Sequence, residues 1–369
     1  MKPAPASVAE AAPRLGQLTS LRFFAALAVL SSHLWVLEEE PNILQPLARS
    51  IFHEGYAGVS FFFMLSGFIL SHTYQRRLVS GSISKSAYFV RRLIRIYPLH
   101  LLTAAPFVLL FLAGRGGDTL QSVIANLSLM QSWIPSKAFY FSLNDPSWSL
   151  SDEIFFYGAF AGLARVPTRR LALFATALLG VAAVIVLLLI VHHHASWSID
   201  GDVGFPHWLT YINPAVRLLD FVVGMLLHRC PRPRLSRRLW TAGEAAAALA
   251  LVVAAYASTT LDLPQVLRAQ LLYLPLMALV IHVFAAGGGL LSAWLCDARL
   301  VLLGDASFAL YMIHLPILNG TRALFEQLGE PIPLVAYAAG AAGLSVGLSI
   351  VTFRFVERPI HTRLKRLVA

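Results

Sequence analysis

Apolar residues in this chain gather into long runs separated by short polar or basic segments. A helix rising 1.5 Å per residue needs roughly 17–25 residues to cross about 30 Å of hydrocarbon. Runs of that order begin near Leu21, Tyr56, Ile96, Trp148, Leu171, Leu209, Trp240, Val266, Leu300 and Pro333. The pattern predicts an all-α fold, a polytopic transmembrane helical bundle of about ten spans. The stretch from Thr119 to Pro135 is also fairly apolar. An eleventh span there would invert every later loop, so it reads as a re-entrant or interfacial segment on the outer face. Residues 1–20, rich in Ala and Pro, read as a disordered cytoplasmic leader, 21–355 as the transmembrane domain and 356–369 as a basic cytoplasmic tail. The first apolar run has full span length and is followed by Glu38, Glu39 and Glu40, so it is not a cleaved signal peptide. No internal repeat suggests a transporter built from two related halves.

Composition agrees with the pattern. The 369 residues are 57% hydrophobic and only 13% charged, against about 25% charged in an average soluble domain. A soluble globule is excluded. The formal net charge of +10 would suggest nucleic acid in a soluble protein, but position changes its meaning. With the N-terminus inside, 23 of the 29 basic residues fall on cytoplasmic segments, chiefly Arg76 to Arg95, Arg229 to Arg238 and the tail. Cytoplasmic loops are enriched in this way, so the charge reports topology, with both termini cytoplasmic and no nucleic-acid partner. Cys230 and Cys296 make no disulfide framework. His192, His193 and His194, followed by Asp200 and Asp202, lack the i, i+4 spacing of a helical metal site and read as a solvated loop.

Ionisable groups within the spans are expensive and mark function by default. The fifth and tenth spans carry none, as lipid-facing or packing helices require. Elsewhere His33, Glu153, Arg217, Asp220 and His314 fall at heights of about 18, 22, 18, 13 and 21 Å above the cytoplasmic boundary, all within or near the outer half. Each has a structural reading too: a membrane histidine is often hydrogen-bonded packing, and Arg217 with Asp220 at i, i+3 forms a self-contained ion pair. At the inner surface, RRLIRIYP from Arg91 to Pro98 puts Arg92 and Arg95 on one helical face. Paired arginines suit phosphate, although an ordinary positive-inside anchor has the same composition. Arg22 lies eleven residues before His33, about 16.5 Å along one face of a helix, so a single stripe links the two levels.

These residues resemble the acyltransferase-3 membrane proteins, bacterial integral-membrane O-acyltransferases that include O-antigen and exopolysaccharide acetylases. The likeness runs through LTSLRFFAALAVLSSH with Arg22 and His33, GYAGVSFFFMLSGFIL (55–70), RRLIRIYP, WSLSDEIFFY from Trp148, SFALYMIHLPI from Ser307 and FVERPI from Phe355, in the family's order. The resemblance implies cytoplasmic acyl-CoA, usually acetyl-CoA, as donor substrate and a glycan hydroxyl as acceptor, in the bacterial inner membrane, with no permanently bound cofactor. It makes Arg92 and Arg95, helped by Arg22, the phosphate-binding group and His33 the general base. Glu153 would orient His33 or bind the acceptor, and Tyr311 and His314 would assist the oxyanion or line the cavity, with Arg217 and Asp220 as further substrate candidates. Gly67 reads as a close helix approach, Ser66 as packing and not a nucleophile, and Glu357 as a salt-bridge partner of the arginine-rich tail. The chain stops about ten residues after FVERPI, so no fused esterase-like domain is expected. A small molecule such as a macrolide or a lipid-linked sugar is the alternative acceptor; a proton-coupled transporter is the alternative of another class.

Overall fold

The computed structural model describes residues 14–39, 41–192, 198–199, 202–328 and 333–366. Helices dominate: α1 (Gly16–Ser31), α2 (Gly58–Leu70), α3 (Lys85–Leu112), α4 (Trp148–Leu163), α5 (Thr168–Val191), α6 (Pro214–Arg229), α7 (Arg237–Thr260), α8 (Tyr273–Ala286), α9 (Ala298–Asp305), α10 (Ser307–Leu328), α11 (Leu334–Thr352) and α12 (Arg358–Arg366). The strand pairing among the described residues is a two-residue hairpin joining Ser198–Ile199 to Asp202–Val203. His193, His194 and Asp200 of the histidine loop lie outside the described residues.

All ten apolar runs fold as helices, but not all have spanning length. Among the described residues, seven helical stretches are long and apolar enough to cross a membrane, or eight if α9 and α10, bent by 59°, count as one span. α1 and α4 have only 16 residues each, about 24 Å of helix, so length and composition support seven to eight spans in place of ten. The segment after Thr119 makes an eight-residue helix, Leu120–Leu127, capped by Thr119 and Ser122. At about 12 Å it is too short to cross. α1 also begins earlier than the predicted leader boundary: Gln17, Leu18 and Ser20 are buried, and the Ser20 hydroxyl donates to Leu295 O at 2.5 Å.

The centre of the bundle is the α2–α6 pair. Phe63, Met64 and Phe68 on α2 meet Phe221, Val222 and Met225 on α6, all buried. Gly67 and Gly224 let the backbones touch: a Cβ on Gly67 would lie 2.0 Å from Phe221 O, and one on Gly224 would lie 1.8 Å from Met64 O. Small residues at crossings are how membrane helices gain contact without a hydrophobic drive between them. At the periphery, α5 exposes Leu173, Val181 and Leu187, as the lack of ionisable groups between Leu171 and Val191 predicts.

One buried charge in the spans serves the fold. Glu244 on α7 is fully buried and accepts from the backbone N–H groups of Gly289, Leu291 and Ser292 at 3.0–3.2 Å and from the Ser292 hydroxyl at 2.5 Å. It caps the N-terminus of the short helix Leu290–Leu295, whose first N–H groups lack intrahelical partners. Glu244→Ala is therefore expected to destabilise the protein by about 2–3 kcal/mol, read as a lower thermal midpoint in detergent. Glu244→Gln, which keeps an acceptor, recovers part of the loss; an unchanged midpoint in the alanine variant would refute the assignment.

Candidate active site

Three cavities lie in series through the bundle. The first, roughly 200 Å³, is a basic chamber walled by Arg22 of α1, Arg92 and Arg95 of α3, Glu153 and Tyr157 of α4, and Phe308 of α10. The predicted i, i+3 arginines share this wall, but each is already engaged. Arg92 Nη2 donates to the Tyr157 hydroxyl at 3.2 Å and lies 4.8 Å above its ring; the same hydroxyl donates to Glu153. Arg95 forms an ion pair with Glu357 and lies 5.6 Å above the ring of Phe308. Glu357 thus holds Arg95, where the sequence suggested the arginines of the tail. Arg22 lines the same chamber without a hydrogen bond or ion pair to another described residue, its charge balanced at longer range by Glu153 and Asp305.

The second space is a neck of about 40 Å³ formed by Arg22, Val59, Phe62, Phe63, Ser149, Leu150, Glu153, Phe308 and Tyr311. It shares Arg22, Phe62, Glu153 and Phe308 with the basic chamber, and Val59 and Tyr311 with the third space. That third space, about 490 Å³, is a histidine chamber walled by His33, His314, Trp35, Trp148, Asp145 and Tyr311 among others.

His33 sits just past the end of α1, whose last helical residue is Ser31. Its turn is fixed by its backbone N–H on Leu30 O at 3.0 Å and by the Ser32 hydroxyl on Val29 O at 2.8 Å. His33 Nδ1 lies 2.8 Å from Val29 O and 3.4 Å from His314 Nε2. A carbonyl can only accept, so the proton resides on Nδ1 and the lone pair on Nε2. His314 is held the same way, its Nδ1 on Tyr311 O at 2.7 Å. The two rings stand 5.0 Å apart, edge to face. His33 is therefore an oriented imidazole with a carbonyl anchor and a second imidazole beside it.

The structure redistributes the other predicted site residues. Glu153 lines the neck and the basic chamber, bound to Tyr157, and not the wall around His33; His314 is the group beside His33. The Tyr311 hydroxyl is spent on Pro146 O at 3.0 Å, so it lines the passage as a bolt between α10 and the loop before α4. Arg217 and Asp220 line none of these cavities. Both are buried, 3.1 Å apart, with Arg217 Nη2 on the Ser60 hydroxyl at 2.6 Å and its guanidinium between the rings of Phe63 and Tyr211. That is the self-contained pair. Sequence reasoning passed over Glu38 and His53, 3.3 Å apart on the wall of the histidine chamber. It also passed over Asp145 in NDPSW, immediately before the WSLSDEIFFY motif; burial pushes its carboxyl up to about 6, with Asp118 adding to the shift and Lys137 opposing it. No His/Cys/Asp/Glu cluster among the described residues has the makings of a metal site.

A bundle with helices of membrane-crossing length, and internal cavities lined by arginines at one end and by an oriented histidine pair at the other, defines a multi-pass membrane protein. The chain belongs to the acyltransferase-3 family, whose profile, described as an acyltransferase domain, matches residues 15–354. Among curated relatives, the acyltransferase MdmB of Streptomyces mycarofaciens is 31% identical over 96% of this chain and 92% of its own. The exopolysaccharide production protein ExoZ of Rhizobium meliloti (strain 1021) is 28% identical over 84% of this chain and 90% of its own. The putative membrane-bound transacylase BcsY of Komagataeibacter xylinus is 25% identical over 82% and 76%. No solved structure matches significantly. The protein is an acyltransferase.

Proposed function

We propose that this enzyme moves an acetyl or other acyl group from cytoplasmic acyl-CoA to a hydroxyl of a cell-surface or exported glycan, with His33 as general base. The observation that carries the reading is the series of cavities: a basic chamber suited to the donor's phosphates opens through a neck to the face of an oriented imidazole. The neck suits a thin pantetheine arm and is too narrow for the nucleotide, which stays among Arg22, Arg92 and Arg95. The positive-inside pattern supports a cytoplasmic basic chamber with both termini inside, and the family resemblance favours a bacterial inner membrane. In that arrangement α1 and α4 cross as short spans, bringing the total to about ten, and the segment 119–135 lies at the outer face. The relative named for exopolysaccharide production favours a surface glycan as acceptor.

The chemistry follows from the positions. His33 Nε2 takes the proton as the acceptor hydroxyl oxygen attacks the thioester carbonyl. The tetrahedral oxyanion collapses, the carbon–sulfur bond breaks, and the CoA thiolate takes the proton back from the imidazolium. The ester and free CoA leave on opposite sides of the neck. The anchored Nδ1–H keeps the base in one tautomer throughout.

Donor binding tests the reading. Acetyl-CoA affinity of the detergent-purified protein is expected to fall at least about tenfold in Arg92→Gln, which loses a charge-assisted phosphate contact, and to be unchanged in His33→Ala. Arg95 is the poorer probe, because removing it strands buried Glu357. A wild-type protein that neither binds nor hydrolyses acetyl-CoA would overturn the proposal and favour proton-coupled transport.

A further inference from the structure

We infer that Asp145 is the acceptor-binding carboxylate, and that a polyhydroxylated, sugar-like acceptor reaches His33 through a second cleft at whose threshold Asp145 stands. The inference rests on the acyl-transfer reading and names the acceptor's chemistry and its contact.

The histidine chamber does not end at its own walls. Lys137, Phe141 and Asp145 also line an open cleft of about 900 Å³ bounded by Asp118, Pro135 and Phe205. These three residues are therefore the doorway between cleft and base. The doorway is rigidly built. Asn144 Nδ2 donates to Met312 O at 2.9 Å and the Tyr311 hydroxyl donates to Pro146 O at 3.0 Å. The residues on either side of Asp145 are thus bolted to α10 within three residues of His314, which itself stands beside His33. The position of the Asp145 backbone relative to the base is set by two hydrogen bonds and not by a free loop.

The chemistry of the doorway selects its guest. A carboxylate accepts from two hydroxyls at once, and flat aromatic faces pack the C–H surface of a sugar ring. Trp35, 47% exposed and with its ring 5.7 Å from that of His33, supplies one such face, and Phe141 supplies another. A monohydroxy lipid would have to press hydrocarbon past Asp145 and Lys137, which desolvates charge without compensation.

The test uses the full chain in a polyoxyethylene detergent, which has no sugar headgroup. Methyl glucoside, galactoside and mannoside are the probes, with decanol as the monohydroxy control. Tryptophan fluorescence reads the histidine chamber and acetyl-CoA affinity is measured in parallel. At least one glycoside is expected to change the fluorescence saturably at pH 7.5, with a Kd at least tenfold weaker in Asp145→Asn, partly recovered in Asp145→Glu, and acetyl-CoA affinity unchanged in both. The charged and titratable groups that line these two spaces with Asp145 are Asp118, Lys137, His207, His33, His314, the Glu38–His53 pair and Tyr56, Tyr140, Tyr211 and Tyr311, of which Asp118 and Lys137 act on its charge. The advantage of wild type over Asp145→Asn should therefore vanish as pH falls through about 6, where the carboxylate gains its proton. A glycoside that binds Asp145→Asn as tightly as wild type overturns the inference. So does decanol binding in place of any glycoside, or a joint loss of glycoside and acetyl-CoA binding in Asp145→Asn, which marks a structural role. Wild-type protein that fails to bind acetyl-CoA overturns the acyl-transfer reading itself.

Discussion

Replacing His33 with alanine is expected to lower acyl transfer about 10²- to 10⁴-fold, the range for removing a positioned general base, while the protein still inserts and still binds acetyl-CoA. The reason is the singular availability of one nitrogen. His33 Nδ1 is tied to Val29 O and His314 Nδ1 to Tyr311 O, so each imidazole offers only Nε2, and that of His314 points at His33. His33→Gln keeps the polarity and most of the volume but cannot take a proton, so it should be as inactive as alanine. His314→Ala acts through its neighbour and is expected to cost about tenfold or less, with donor affinity intact. The decisive measurement is single-turnover transfer from labelled acetyl-CoA at matched expression. Wild-type rates in His33→Ala would remove it from the chemistry.

The second large effect is structural. Gly224→Val is expected to abolish the folded protein, because its Cβ would lie 1.8 Å from Met64 O and the reciprocal contact at Gly67 leaves the two backbones no direction in which to separate. Overpacking against side chains usually costs about 1–3 kcal/mol; here the obstacle is main chain at the centre of the bundle, and α2 also carries Phe62 and Ser66 into the passage. Loss of the monodisperse peak in size-exclusion chromatography, together with any transfer activity, is the expected readout. Gly243→Ala is the matched control: its Cβ would meet only Val283 Cγ1 at an ordinary 3.6 Å, and it should behave as wild type. A monodisperse, active Gly224→Val would show that the α2–α6 crossing is looser than its geometry implies.

Much of this was open to reading in the chain itself. Ten apolar runs fixed the order of the helices, the absence of ionisable residues from the runs beginning at Leu171 and Pro333 placed the bodies of α5 and α11 apart from the site, and the depth of His33 and His314 in separate runs put them at one level. Spacing alone paired Arg92 with Arg95 and Arg217 with Asp220, because i, i+3 neighbours on a helix share a face whatever surrounds them. Gly67 was legible as a close approach because a residue without a side chain lets two helix backbones meet.

What the sequence left open depends on contacts between distant residues. Depth could not tell Glu153 from His314 as the neighbour of His33; both fall at the same height, and only the packing of α4 and α10 against α1 decides which side chain meets the ring. Glu357 and Arg95 stand 262 residues apart, so no periodicity could pair them. Glu244 gives no signal along its own helix, because the groups it accepts from lie 45 to 48 residues away. Asp145 carried no signal in a polar loop, and its place at a doorway exists only because Asn144 and Pro146 are bolted to α10. Periodicity and hydropathy act along one helix at a time, and so determine elements, depth and local pairs; a passage through the bundle is a property of several helices at once, which the tertiary packing alone decides.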